Sequence, residues 1–262
     1  MLHGPLLYVV ALVAAFVVAA VASPAGVSGA VLLLPFQVRV LGTPSPAVTP
    51  TNLLYNVVAT PGAIYRYFKN GQRGGDLTRL LLIGTIPGVV VGSIVRVTLL
   101  PSPRAFDAVI AIVLIPLGAS VLLSPVKPKE PRTPRVMSSA VVAVVSAVVG
   151  VVGGIYGIGG GSILAPLLVS SGRPVSEVAP ATLTSTFLTS IAGVVTFAVL
   201  ASSQRGSVAP DWGIGLVLGA GGLAGGYVGA RMQPHLPELL IRRVLGVLVI
   251  LIGIRYAWVA AG

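Results

Sequence analysis

Residues 154–166 read Gly-Ile-Tyr-Gly-Ile-Gly-Gly-Gly-Ser-Ile-Leu-Ala-Pro, and residues 23–35 read Ser-Pro-Ala-Gly-Val-Ser-Gly-Ala-Val-Leu-Leu-Leu-Pro. Set in register, Gly26 falls on Gly157, Gly29 on Gly160 and Pro35 on Pro166. Two more pairs follow in the same order: Val48-Thr-Pro-Thr-Asn-Leu53 on Val178-Ala-Pro-Ala-Thr-Leu183, and Gln72-Arg-Gly74 on Gln204-Arg-Gly206. All three anchors lie 130 to 132 residues apart, so the chain is an internal duplication. Residues 125–135, Pro-Val-Lys-Pro-Lys-Glu-Pro-Arg-Thr-Pro-Arg, are the most polar stretch, and their four prolines oppose a helix. The chain therefore divides into a first membrane repeat at 1–124, a basic cytoplasmic linker at 125–135 and a second membrane repeat at 136–262.

Composition decides what surrounds these repeats. Of 262 residues, 55% are apolar and 9% charged, against about a quarter charged in soluble domains. The 33 glycines and 21 prolines would suggest disorder in a polar chain, but a mean hydropathy of +0.99 excludes it. Residues 1–38, 40–65, 108–126, 136–172, 178–204 and 212–230 contain no Lys, Arg, Asp or Glu. A bilayer core is crossed by about 20 apolar residues in a helix. The chain reads as an all-α polytopic membrane protein. Its net charge of +11 sits between apolar spans, as in loops retained on the cytoplasmic side, so the expected partner is lipid and not nucleic acid. With no cysteine there is no thiolate nucleophile or Cys-ligated metal. No loop exceeds about a dozen residues, which leaves no domain for an enzyme's active site, and no cofactor is expected. Ala20-Val21-Ala22 resembles a signal-peptide cleavage site, but the uncharged start favours a retained helix.

Each repeat reads as about five helical segments: near 4–22, 29–40, 47–67, 77–99 and 104–123, then 137–153, 161–171, 177–200, 211–230 and 239–259. The second segment of each repeat is a half-helix, about 18 Å at 1.5 Å per residue. If the first segment crosses alone, each repeat makes an odd number of passes and the two are inverted. Arg66, Lys69, Arg73, Arg79, the four linker cations, Arg231, Arg242 and Arg243 then share the cytoplasmic side. A parallel arrangement places one cation fewer there, so the rule favours inversion by a narrow margin.

Non-helical backbone at membrane depth is tolerated only where protein or a water-filled cavity satisfies it. Two interrupted segments at matching repeat positions point to a substrate site. The expected anion donors are the amides and hydroxyls at the half-helix starts: Ser28 and Gly29 in one repeat, Gly159, Gly160, Gly161 and Ser162 in the other. The third segment of each repeat opens with a polar stripe. Thr182, Ser185, Thr186 and Thr189 share one helical face, as do Asn52, Tyr55 and Asn56. Thr51, Tyr55, Asn56, Thr182 and Thr186 are read as a polar path, with Asn52 and Ser185 among the binding groups.

The six acids, Asp76, Asp107, Glu130, Glu177, Asp211 and Glu238, fall near segment ends, so no intramembrane proton relay is evident. Arg39, Arg96, Arg173 and Arg231 also fall near ends, where snorkelling is expected. The triple glycine lacks the G-K-[S/T] of a phosphate loop. Gly26-Val-Ser-Gly29 imitates an intramembrane serine protease, but His3 and His235 are not placed to activate Ser28.

With Gly157-Ile-Gly-Gly-Gly-Ser-Ile-Leu-Ala-Pro166 and Ala179-Pro-Ala-Thr-Leu-Thr-Ser185, and fainter first-repeat counterparts, the chain resembles the sulfite exporter family TauE/SafE, also called the toluene sulfonate uptake permeases. The resemblance implies a multi-pass transporter of sulfite, sulfonates or related sulfur anions in the bacterial plasma (inner) membrane. By motif it carries over Gly159, Gly160, Gly161, Ser162, Thr184 and Ser185 as substrate-binding positions. The first repeat departs from the family pattern at Ser23–Gly29 and at Thr51-Asn52-Leu53. The alternative from the residues themselves is a channel whose two re-entrant half-helices pass small neutral solutes.

Overall fold

The computed structural model describes residues 5–99, 137–203 and 208–261, with positions 112, 115, 116, 118, 119 and 122 between them. All regular structure among the described residues is helical: α1 (Pro5–Ala22), α2 (Ala30–Arg39), α3 (Val48–Lys69), α4 (Gly75–Thr98), α5 (Ser139–Tyr156), α6 (Gly161–Ser170), α7 (Val175–Ser203), α8 (Trp212–Met232) and α9 (Glu238–Ala261). The fifth segment expected at 104–123 falls mostly outside the described residues, as do the 125–135 linker, His3 and Gln204-Arg-Gly206. Among the described residues, five helical stretches are long and apolar enough to cross a membrane: Pro5–Ala25, Gly75–Thr98, Ser139–Tyr156, Val175–Ser202 and Trp212–His235. The half-helices α2 and α6 have 10 residues each, about 15 Å of rise.

Local chemistry sets the ends. Ser138 caps α5 by accepting from the Val141 amide at 3.4 Å, and Asp211 caps α8 by accepting from the Ile214 amide at 3.0 Å. Asp76, Glu177 and Glu238 stand in the first turns of α4, α7 and α9, where the helix dipole favours negative charge. The expectation that the acids gather at helix ends thus describes these four residues. α1 and α5 each end on a left-handed glycine, Gly26 (φ 81°) after a 3-10 turn and Gly157 (φ 73°), a conformation that carries no steric penalty only for glycine.

The halves interleave. Helix α4 packs on α5 and α7 of the second half, while α8 packs on α1 and α3 of the first, and α3 meets α7 across the centre. Glycines at a spacing of four make this possible. A side chain on Gly84, Gly88 or Gly92 would fall 2.4, 2.4 or 2.1 Å from the carbonyl oxygens of Ala143, Ala147 and Val151 on α5. One on Gly221, Gly225 or Gly229 would fall 2.2, 2.1 or 2.4 Å from those of Leu12, Phe16 and Ala20 on α1. The two sets are the same contact made twice, because Leu12, Phe16 and Ala20 correspond to Ala143, Ala147 and Val151 in the repeat register. With lipid outside, apolar burial gives little drive for helix association, and backbone approach through small residues replaces it. Accordingly α1 turns Ala11, Ala15, Ala19 and Ala22 inward and leaves Leu6, Val9, Val13 and Val17 exposed.

Gly225→Val should destabilise the protein by about 1–3 kcal/mol or more through overpacking, read as a lower Tm in detergent. Gly213→Ala should not lower Tm, since a side chain there meets nothing closer than 3.5 Å.

Candidate functional site

The two interruptions meet. Ser28, one residue before the α2 cap, and Ser162, in the first turn of α6, place their hydroxyl oxygens 3.0 Å apart. The Ser28 amide also donates to the Ser162 hydroxyl at 3.5 Å, and the Ala30 amide donates to the Ser28 hydroxyl at 3.3 Å. Ser28 and Ser162 are only 2% and 4% exposed, so the junction is closed on all sides. Among the described residues none accepts a hydrogen bond from the amides of Gly29, Val31, Gly160 or Gly161.

The break carbonyls are satisfied by the third helices, much of it across the repeat. Thr182 of α7 turns its hydroxyl to the Gly26 carbonyl at 2.9 Å, sharing the proton with its own helix at the Val178 carbonyl. Reciprocally, α3 sends the Thr49 hydroxyl to the Ile155 carbonyl at 3.3 Å and the Asn56 amide to the Gly157 carbonyl at 3.5 Å. Glycine is required at the two crossing points. A side chain on Gly26 would fall 2.7 Å from Cα of Ala179, and one on Gly157 would fall 2.2 Å from the carbonyl oxygen of Thr49. Ala179 and Thr49 are themselves repeat equivalents.

Within each half a second layer fixes the half-helix. The Tyr55 hydroxyl donates to the Ser28 carbonyl at 2.7 Å, and the Tyr67 hydroxyl to the Ser23 carbonyl at 2.9 Å. Asn52 donates its side-chain amide to the Ala30 carbonyl at 3.0 Å and accepts from the Gln37 amide at 2.7 Å, tying α3 to α2. On the other side the Thr186 hydroxyl donates to the Gly159 carbonyl at 3.3 Å. Gly161 packs α6 on α7, since a side chain there would fall 2.1 Å from the Thr182 carbonyl oxygen.

The family model of the sulfite exporter TauE/SafE matches residues 11–256. The chain belongs to the TauE/SafE family. No curated protein matches the chain. As a TauE/SafE member it is a multi-pass membrane protein of a transporter family of sulfite and sulfonate exporter type, with a small anion as the suggested substrate class and the bilayer as its surroundings.

Of the sequence-derived positions in this TauE/SafE chain, Ser28, Gly29, Asn52, Tyr55, Asn56, Gly159, Gly160, Gly161, Ser162, Thr182 and Thr186 gather at the junction or in the layer around it. Ser185 lies in the neighbouring hydroxyl cluster, 3.2 Å from the Thr85 hydroxyl. Two stand apart. Thr184 is half-buried and donates back to the Pro180 carbonyl of its own helix at 2.8 Å. Thr51 donates to the Ala47 carbonyl and accepts from the Asp211 amide at 2.8 Å, which joins α3 to the start of α8.

The expectation that Arg96 snorkels is corrected: it is 1% exposed, and its guanidinium donates to the hydroxyls of Thr49 at 3.4 Å and Ser45 at 2.5 Å. Its helix packs on both α5 and α7, and Arg96 turns inward while Thr98 and Leu99 beyond it are exposed. Arg39 and Arg231 are exposed, and Arg173 pairs with Glu177. Gln37 and Thr85 were not singled out from the sequence. Their only signal is a lone polar residue within an apolar run, Val31–Val38 for one and Leu80–Val91 for the other.

Thr182→Val leaves the Gly26 carbonyl without its donor inside the protein. We expect a loss of about 1–3 kcal/mol, measured as a reduced Tm, with Thr184→Val near neutral.

Proposed function

We propose that this chain carries a small sulfur oxyanion, sulfite or a sulfonate, bound where the two interruptions meet, by alternating access. The observation that supports it is the 3.0 Å approach of the Ser28 and Ser162 hydroxyls at the starts of two half-helices with amides still free to donate. An oxyanion entering there exchanges one hydroxyl–hydroxyl bond for several charge-assisted ones, and the positive ends of two helix dipoles face it. Sulfite suits such a site, because each of its three oxygens can accept from these hydroxyl and amide donors.

The repeats are inverted in this reading, and transport is a rocking of one half against the other about the shared junction. The reciprocal contacts of Gly26 on α7 and Gly157 on α3 support a two-fold relation between halves. A channel for neutral solutes would not need a closed, donor-rich junction, and the burial of Ser28 and Ser162 favours the carrier.

Ser162→Ala should weaken sulfite binding by about 1–3 kcal/mol, some 5- to 150-fold in Kd. Gly160→Val should abolish uptake with the protein still folded, because the nearest obstacle is the Thr85 methyl at 2.9 Å and not backbone. Calorimetry on the first and vesicle flux on the second check these outcomes; parental binding and flux in both would overturn the assignment.

The inverted arrangement has its own test. The chain lacks cysteine, so Asn70→Cys and Ala209→Cys, exposed in the equivalent α3–α4 and α7–α8 loops, are clean reporters. An impermeant thiol reagent should reach them from opposite sides of the membrane; labelling from one side would mean parallel repeats.

A further inference from the structure

The two halves match in backbone and differ in side chains beside the junction. By the matched glycine runs, Thr85 of α4 corresponds to Gly222 of α8, each one residue after Gly84 and Gly221. By the α3–α7 register, Ser185 and Thr189 correspond to Tyr55 and Ala59. In the second-half lobe these positions are hydroxyls. Thr189 donates to the Thr85 hydroxyl at 2.9 Å, and Thr85 lies 3.2 Å from the Ser185 hydroxyl.

This lobe presses on the glycine string. A side chain on Gly160 would fall 2.9 Å from the Thr85 methyl, and one on Gly159 would fall 2.7 Å from the Ser190 hydroxyl oxygen. Ser190 is 0% exposed, and its hydroxyl has no partner among the described residues. A buried hydroxyl left unpaired beside free amides marks a place whose hydrogen bonding is completed by something else.

The first-half lobe is filled. A side chain on Gly222 would fall 2.6 Å from Cε2 of Tyr55 and 2.6 Å from Cβ of Ala59. The Tyr55 ring occupies that space, and its hydroxyl is committed to the Ser28 carbonyl.

We propose that the anion sits off the axis relating the halves, in the second-half lobe, with Thr85 and Ser190 as further specificity-determining residues and Tyr55 excluding a second anion from the matching lobe. This rests on the junction being the anion site and adds which side of it is used. Hydroxyls suit a carrier here. Each rotates to donate to a bound oxyanion and returns to its neighbour when the anion leaves, so no fixed cation holds the substrate too tightly to release.

The test is sulfite titration of the purified full-length protein by calorimetry, with Tm followed in parallel. Thr85→Val and Ser190→Ala should each raise Kd about ten-fold or more, the range for a hydrogen bond to a charged group. Ser190→Ala should leave Tm unchanged, because it removes a hydroxyl with no protein partner. Thr196→Val, on the same helix but bonded to its own Ala192 carbonyl, should bind like the parent, with one sulfite per chain. If Thr85→Val fails to fold, Ser190→Ala decides. Weakened binding in Ser162→Ala with parental binding in Thr85→Val and Ser190→Ala overturns the lobe and leaves the junction standing. Parental binding in all three overturns the junction itself, and two sulfites per chain overturns the exclusion by Tyr55.

Discussion

A helix broken inside a membrane exposes carbonyls and amides that lipid cannot satisfy, each at a cost of several kcal/mol. In this chain the breaks at Ser23–Gly29 and Gly157–Gly160 meet that constraint largely by borrowing from the opposite repeat. Thr182 serves the Gly26 carbonyl, while Thr49 and Asn56 serve those of Ile155 and Gly157. Neither half satisfies its own interruption alone. The carbonyls are consumed in this exchange, while amides at the starts of α2 and α6 have no acceptor among the described residues.

The same interdependence runs through the helix packing. Two runs of four-spaced glycines lay α4 on α5 and α8 on α1 with backbone touching backbone. Helix α4 also contacts α7, and α8 also contacts α3.

Among the described residues the acids stand at helix starts. Asp76, Glu177 and Asp211 serve helix starts, and Arg173 answers Glu177. The exposed Asp76–Arg79 contact at 3.9 Å adds little, as screened surface pairs do. The buried Arg96 is held by hydroxyls of Ser45 and Thr49, and Thr49 in turn touches the second break, which links a cation to the junction through one neutral group.

Much of this architecture was legible in the residues alone. The lack of charge over long stretches dictated membrane spans, and the glycine strings dictated the breaks before the short helices α2 and α6, because hydropathy and glycine's backbone freedom act locally. The stripe of Thr182, Ser185 and Thr186 followed from helical periodicity for the same reason. Thr85, Gln37 and Arg96 were not legible. Each is a polar residue flanked by apolar neighbours, and whether it meets lipid, a hydroxyl or a carbonyl depends on which helix lies beside it: α3 for Gln37, α7 for Thr85, and Ser45 and Thr49 for Arg96. Thr184 and Ser185, adjacent in sequence, illustrate the limit: one bonds back to its own helix and the other faces Thr85. The sequence by itself determined which segments span and where they break; only the tertiary structure decided which polar groups meet, because that is fixed by contacts between helices, from Gln37 on Asn52, 15 positions apart, to Ser28 on Ser162, 134 apart.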